Sequence, residues 1–284
     1  MRAGLRQPDA DCRGFLTEKD KQKGTNRNQM SVIQVKKEDH IAILSVVRPE
    51  ALNALSREIV DEMGEAIDAI EKDQDIYCLI FHSEKNFAAG ADIKKMADCD
   101  EDGAKAFCFS PVYDRIAELP IPTIAAIEGY ALGGGMELAL CADIRIAGES
   151  AKMGFPEVTL GIFPGAGGTI RAPKLIGPAF AKELIFSGEQ ISAERALQMG
   201  LVNRVASDDA VLEEAKKLAA KIAKRGPVAV RMVKDVITRG LEMGDVKAGT
   251  AYEAQQWAKL FTTYDQKEGM HAFMEKRKPQ FENR

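Results

Sequence analysis

The sequence predicts an α/β fold in which a mostly parallel sheet occupies residues 31–205 and helices take over from 206 to 284. Two observations carry this reading. Short β-branched runs alternate with helical apolar stripes in the first part, and after Leu201-Val202-Asn203-Arg204-Val205 the pattern is almost wholly helical. Ile41–Val47, closed by Arg48-Pro49, is one such run. Ile76–Phe81 and Thr123–Ile127 are others, and their unbroken apolar character marks strands buried on both faces. Between them Ile59, Met63, Ile67 and Ile70 recur at helical spacing after Ser56, a natural N-cap. Val211, Leu218 and Ile222 repeat the stripe later, and the sequence shows no internal repeat.

Residues 1–30 differ. Arg2, Arg6, Arg13, Lys19, Lys21 and Lys23 alternate with Asp9, Asp11, Glu18 and Asp20 without apolar periodicity, which reads as a disordered extension. It has no apolar core for a secretory signal, and its acidic residues argue against an organelle transit peptide. Met30 stands just before the first strand-like residues, so the segment reads equally well as a leader or as a functional arm.

Composition narrows the function classes. A chain of 284 residues with 45% hydrophobic content buries a large core without staples. Its net charge of −4 gives no electrostatic footprint for nucleic acid. The five cysteines, Cys12, Cys78, Cys99, Cys108 and Cys141, form no Cys-x-x-Cys pair, which points to a reducing compartment and away from structural zinc. Charged residues interrupt every long apolar stretch well short of the ~20 residues that span a bilayer. His40, His82 and His271 are isolated, and Ser83 lacks a nucleophile-elbow context.

The chemistry is concentrated in three segments: Asn86–Asp92, Gly129–Glu137 and Phe155-Pro156-Glu157. Small residues let backbone approach a ligand closely, and the first turn of a helix offers N–H groups without internal partners. Such donors stabilise a carbonyl oxygen as it becomes an enolate, and two carboxylates beside it supply a base and an acid. Taken alone, Gly133-Gly134-Gly135 would fit a close helix–strand crossing, and Glu157 an ordinary loop glutamate. Glu137 is harder to dismiss, because it lies among Leu132, Met136, Leu138, Ala139 and Leu140 with no lysine or arginine close in sequence. Gly165-Ala166-Gly167-Gly168 lacks the ending of a phosphate loop and reads as backbone presented to a reacting water or acyl chain.

Asn53-Ala54-Leu55, Phe87–Ile93, Pro122–Gly135, Pro164–Thr169 and Ala196–Val202 together resemble the enoyl-CoA hydratase/isomerase (crotonase) family, and the likeness runs over residues 31–284. The resemblance implies a crotonase-like ββα superhelix (spiral) core and a C-terminal helical trimerisation region. It further implies an acyl-CoA thioester substrate, no metal or redox cofactor, and a homo-oligomer, either a trimer or a hexameric dimer of trimers. By that likeness the Ala91 and Gly134 N–H groups form an oxyanion hole, Glu137 activates the water that attacks the β-carbon, and Glu157 delivers the proton at the α-carbon. Ala89, Gly90, Asp92, Ile93, Lys94, Gly133 and Gly165 fall at substrate- or CoA-contacting positions. Phe273 and Lys276 match positions that touch CoA from a neighbouring subunit. Residues 99–113, with Phe107, Phe109 and Pro111, correspond to the acyl-pocket wall.

The implied activity is syn addition of water to trans-2-enoyl-CoA, giving (3S)-3-hydroxyacyl-CoA in fatty-acid or related acyl-CoA degradation. An isomerase or a specialised hydratase for dienoyl or branched thioesters is the alternative within the family. A binder of AU-rich RNA or a non-catalytic homologue is the alternative of another class. Isomerisation needs one carboxylate shuttle, so two glutamates favour hydration. The cytoplasm is the expected location, with the mitochondrial matrix as the alternative.

Overall fold

The structure, a computed structural model, describes residues 31–284, so the expectation for residues 1–30 lies outside the described residues. The strands are β1 (Ile33–Glu38), β2 (Ile41–Val46), β3 (Cys78–His82), β4 (Thr123–Ile127), β5 (Tyr130–Leu132), β6 (Ile144–Gly148), β7 (Lys152–Gly154), β8 (Gln190–Ser192) and β9 (Arg204–Ala206). The helices are α1 (Arg57–Lys72), α2 (Ile93–Met96), α3 (Glu101–Ala106), α4 (Ser110–Glu118), α5 (Gly134–Cys141), α6 (Gly168–Ser187), α7 (Ala193–Met199), α8 (Val211–Ala223), α9 (Pro227–Glu242), α10 (Val246–Leu260) and α11 (Tyr264–Met274).

A six-stranded sheet runs in the order β1-β2-β3-β4-β6-β9, with β1 antiparallel at one edge and every other pairing parallel. A smaller sheet, β5-β7-β8, lies apart from it. The chain follows a ββα rhythm. β4 belongs to the large sheet, β5 to the small one, and α5 follows; β6, β7 and α6 repeat the sequence. After β3 the second strand shrinks to one bridge, Ala88 with Ala131 of β5. Successive units therefore wind as a spiral and carry the segment after β3 against the start of α5.

Period-2 alternation divides the core. Leu44, Leu79, Phe81, Ala125 and Ile127 join one core with α1, whose Ile59, Met63, Ile67 and Ile70 form the stripe expected from sequence. Ile43, Cys78, Ile80, Ile124 and Ile146 face the other way, onto Val211, Ala215 and Ala219 of α8. Each fully buried isoleucine or leucine contributes about 1.5–3 kcal/mol. Ser56 caps α1, its Oγ accepting from Ile59 N at 3.4 Å.

Beyond α8 burial drops sharply: Pro227 is the buried residue of α9, and α10 has none. Val246 is 83% exposed and Trp257 61%. Among the described residues no helix is long and apolar enough to cross a membrane.

Candidate active site

The site forms where the segment after β3 meets the N-terminus of α5. Gly133 precedes the helix with φ +50° and ψ −123°, a conformation that glycine alone adopts cheaply. Gly135 lies so close to Ala88 O that a Cβ would overlap it, which lets the helix start touch the 86–92 segment. In that segment Leu55 N donates to Gly90 O at 2.8 Å, and Asp92 N donates to Leu55 O at 2.7 Å. This parallel bridge uses the groups flanking Ala91 and turns the Ala91 N–H to the opposite side. A Cβ built on Gly134 would lie 3.7 Å from Ala91 N, so the two residues meet at one small space. Neither N–H group has an acceptor among the described residues. The positive end of α5 faces the same space.

Glu137 lies one helical turn into α5 and is 3% exposed. Its Oε1 accepts from Ala166 N at 2.7 Å and from Gly168 N at 2.8 Å. Here the structure corrects the reading of Gly165–Gly168, since two of its N–H groups clasp Glu137 rather than a water or an acyl chain. Burial raises the Glu137 pKa, while the two N–H donors and the positive charge of Arg171 oppose that rise. The absence of a cation near Glu137 therefore holds only along the sequence.

Glu157 stands on a 3-10 turn, Pro156–Leu160, that Pro156 opens. β7 intervenes between this turn and the strand at 144–148. The Glu157 carboxyl lies against Gly133, where a Cβ would meet Oε1 at 2.8 Å. Its Oε2 is buried without a hydrogen-bond partner among the described residues. Burial, reinforced by the negative charge of Glu137, pushes its pKa up to about 7. One carboxylate is thus anchored by donors, and the other is set to hold a proton near neutrality.

The 99–113 segment folds as α3 and the start of α4. Phe109 lies against Gly134, with ring atoms 3.4 and 3.6 Å from its Cβ position. The Phe107 ring packs against it in a tilted arrangement with centroids 5.1 Å apart, while Pro111 is exposed on α4. Tyr113, fully buried, donates its hydroxyl to Gly134 O at 2.8 Å.

The remaining predicted contacts divide. Gly90 and Gly133 are buried in the site, and Ala89 is half-buried beside them, its N–H donating to Leu52 O. The Asp92 carboxylate, expected among the ligand contacts, is engaged inside the protein: Oδ2 accepts from Arg48 Nη1 at 2.8 Å, and Oδ1 accepts from Lys94 N at 3.2 Å. Ile93 and Lys94 are exposed on α2. Gly165 is exposed and accepts through its carbonyl from Ser110 Oγ. Phe273 is 85% exposed, and neither its side chain nor that of Lys276 bonds to the other site residues in this chain. Arg48 and Arg171 escaped the sequence reading as site residues, and Tyr113 entered it only as the end of the 99–113 wall. Arg171 carried one signal, a cation in the first turn of a helix, where the macrodipole disfavours it.

His82 pairs with Glu128 at 2.8 Å, and among the described residues no group of His, Cys, Asp or Glu could hold a metal ion.

The sequence profile described as enoyl-CoA hydratase/isomerase matches residues 36–284. The chain is 41% identical to the short-chain-enoyl-CoA hydratase of Clostridium acetobutylicum, over 90% of this chain and 100% of that protein. It is 42% identical to the crotonyl-CoA hydratase of Syntrophomonas wolfei, over 88% of this chain and 97% of the other. Among solved structures, an enoyl-CoA hydratase from Bacillus anthracis superposes with a TM-score of 0.86 at 40% identity, covering 89% of this chain and all of that one. A spiral of ββα units, adjoining backbone N–H groups without acceptors among the described residues, and a profile match over nearly the whole described chain lead to one conclusion: this chain belongs to the enoyl-CoA hydratase/isomerase family.

Proposed function

We propose that this protein is a hydro-lyase that adds water to short trans-2-enoyl-CoA thioesters, with Ala91 and Gly134 as oxyanion donors and Glu137 and Glu157 as base and acid. The observation that carries the reading is the unequal pair of carboxylates beside two unpaired N–H groups. The thioester oxygen sits between the Ala91 and Gly134 N–H groups. Glu137 takes a proton from water as its oxygen attacks the β-carbon, charge gathers on the thioester oxygen, and Glu157 protonates the α-carbon. A double-bond isomerase needs only one of these carboxylates. The Phe109 ring against Gly134 and the names of two relatives support a short acyl chain. A kinetic panel of C4 to C16 2-enoyl-CoAs, with a 3-enoyl and a dienoyl thioester included, tests this. The highest kcat/KM is expected on the C4 substrate, and faster turnover of the 3-enoyl thioester would transfer the reading to an isomerase.

Because Glu157 must carry its proton, kcat/KM for hydration should fall as pH rises through about 7. It should also fall at low pH as Glu137 becomes protonated, giving a bell whose limbs belong to the coupled pair. A profile still flat at pH 9 removes Glu157 as the acid.

The apolar residues left uncovered on α9–α11, including Ile237, Leu241, Val246, Trp257 and Phe273, support assembly through this region. The protein should sediment as a trimer or a dimer of trimers, and a concentration-independent monomer would refute this. Such assembly would also give Phe273 and Lys276 a neighbouring subunit's CoA to touch. The four described cysteines are free, which supports a reducing location such as the cytoplasm.

A further inference from the structure

Arg171 lies in the first turn of α6 with its charge at the unfavourable end of the helix dipole, so something outside the helix holds it there. Its side chain is 21% exposed. Nη2 donates to Asp114 Oδ1 of α4 at 2.5 Å, and Nη1 donates to Ala166 O at 3.1 Å. Ala166 in turn gives its own N–H to Glu137 Oε1. The same loop is held from α4 a second time, by Ser110 Oγ donating to Gly165 O at 3.2 Å. A loop containing Gly165, Gly167 and Gly168 has little rigidity of its own, so its two donors stay on Glu137 only if the loop is pinned from outside.

We propose that Arg171, held by Asp114, is a positioning residue for Glu137: it pins the Gly165–Gly168 loop, so that Ala166 and Gly168 present their N–H groups to the carboxylate. The functional part of this inference rests on reading Glu137 as the water-activating base. The ionisable groups around Glu137 are Glu157 on its turn, Tyr113 and Asp114 on α4, Cys141 on α5, and Arg171. Arg145 lies beyond Cys141, bonded to the carbonyls of Ala139, Ala142 and Leu201. Arg171 is the cation that opposes the upward shift of Glu137. Removing it leaves the carboxylate with weaker N–H clasping and no opposing charge.

Arg171→Met should lower kcat for crotonyl-CoA hydration by ~10-fold, leave KM within about threefold, and move the acidic limb of the kcat/KM profile upward by about half a pH unit or more. Arg171→Lys keeps the charge without the fork and should restore most of the limb position. Asp114→Asn removes an anion together with the anchor, so it is read on kcat, which should fall by less than in Arg171→Met, and it provides the test if Arg171→Met fails to fold. Infrared difference spectra across pH follow the Glu137 carboxyl stretch directly, identified by its absence in Glu137→Gln. An assembled Arg171→Met protein whose limb and infrared midpoint coincide with wild type overturns the proposal, even if kcat falls. If wild type hydrates no enoyl-CoA while the infrared midpoint still moves in Arg171→Met, the hydratase reading fails and the positioning role stands.

Discussion

Gly134→Pro is expected to lower kcat for crotonyl-CoA hydration by ~10² to 10³ while leaving an assembled protein, because proline has no N–H to give the thioester oxygen. The substitution falls at the first residue of α5, where the fixed φ of proline suits a helix start. No internal hydrogen bond is lost there, since the Gly134 N–H has no acceptor among the described residues. The Cβ position stands in ordinary contact with the Phe109 ring, at 3.4 Å. The lesion therefore falls on catalysis more than on folding: one oxyanion donor is worth about 3–4 kcal/mol in the transition state, and the ring Cδ takes the place of the lost hydrogen. Gly134→Ala separates donor from space. It keeps the N–H but sets a methyl 3.7 Å from Ala91 N, beside the space for the thioester oxygen, so its loss should fall on KM as well as kcat. Turnover is followed by the absorbance of the enoyl thioester, and assembly by sedimentation. A proline variant that assembles and turns over near the wild-type rate would remove Gly134 from the mechanism.

Glu137→Gln and Glu157→Gln should each lower kcat by ~10² or more with thioester binding nearly intact, because an amide keeps the shape and loses the proton transfer. At position 137 the amide oxygen can still accept from Ala166 N and Gly168 N, so the clasp survives while the base does not. At position 157 the amide mimics the protonated carboxyl that burial favours. This second variant also carries a stability signature. The Glu157 pKa rises from the ordinary carboxylate value of 4.5 to about 7 in the fold, so ionisation opposes folding, not at all below pH 4.5 and fully above pH 7. Glu157→Gln removes that cost. Its Tm should exceed that of wild type at pH 8, and the gap should close as pH falls toward 4.5. Calorimetry gives the curve, and a gap independent of pH would mean that Glu157 is not a strained acid. Calorimetric titration with a slowly reacting thioester checks that binding is retained. Near-wild-type kcat in either variant would end the two-carboxylate assignment.

Local pattern was sufficient wherever burial alone decides the structure. The β-branched runs became β2, β3 and β4, and Ser56 caps α1 over its apolar stripe, because side-chain periodicity and capping chemistry act over a few residues. β5, β7 and β8 have three residues each, too few to carry a period, and their pairing partners lie far along the chain. The carboxylates and small residues of the site stand in the sequence, but their partners do not. Two backbone N–H groups, on Ala166 and Gly168, reach Glu137 from 29 and 31 residues away, and backbone donors leave no trace in residue type. Asp92 was legible as an acidic residue beside the oxyanion segment, yet its pairing with Arg48, 44 positions earlier, was decided by the crossing of two chain segments. The direction of the Ala91 N–H belongs to the same class, being set by Leu55 bonding on either side of it. Sequence determined which groups this protein has for the chemistry and which stretches bury. Only the path of the spiral decided which of those groups are anchored, which are left with a proton, and where two free N–H groups point, because each depends on backbone brought together from distant parts of the chain.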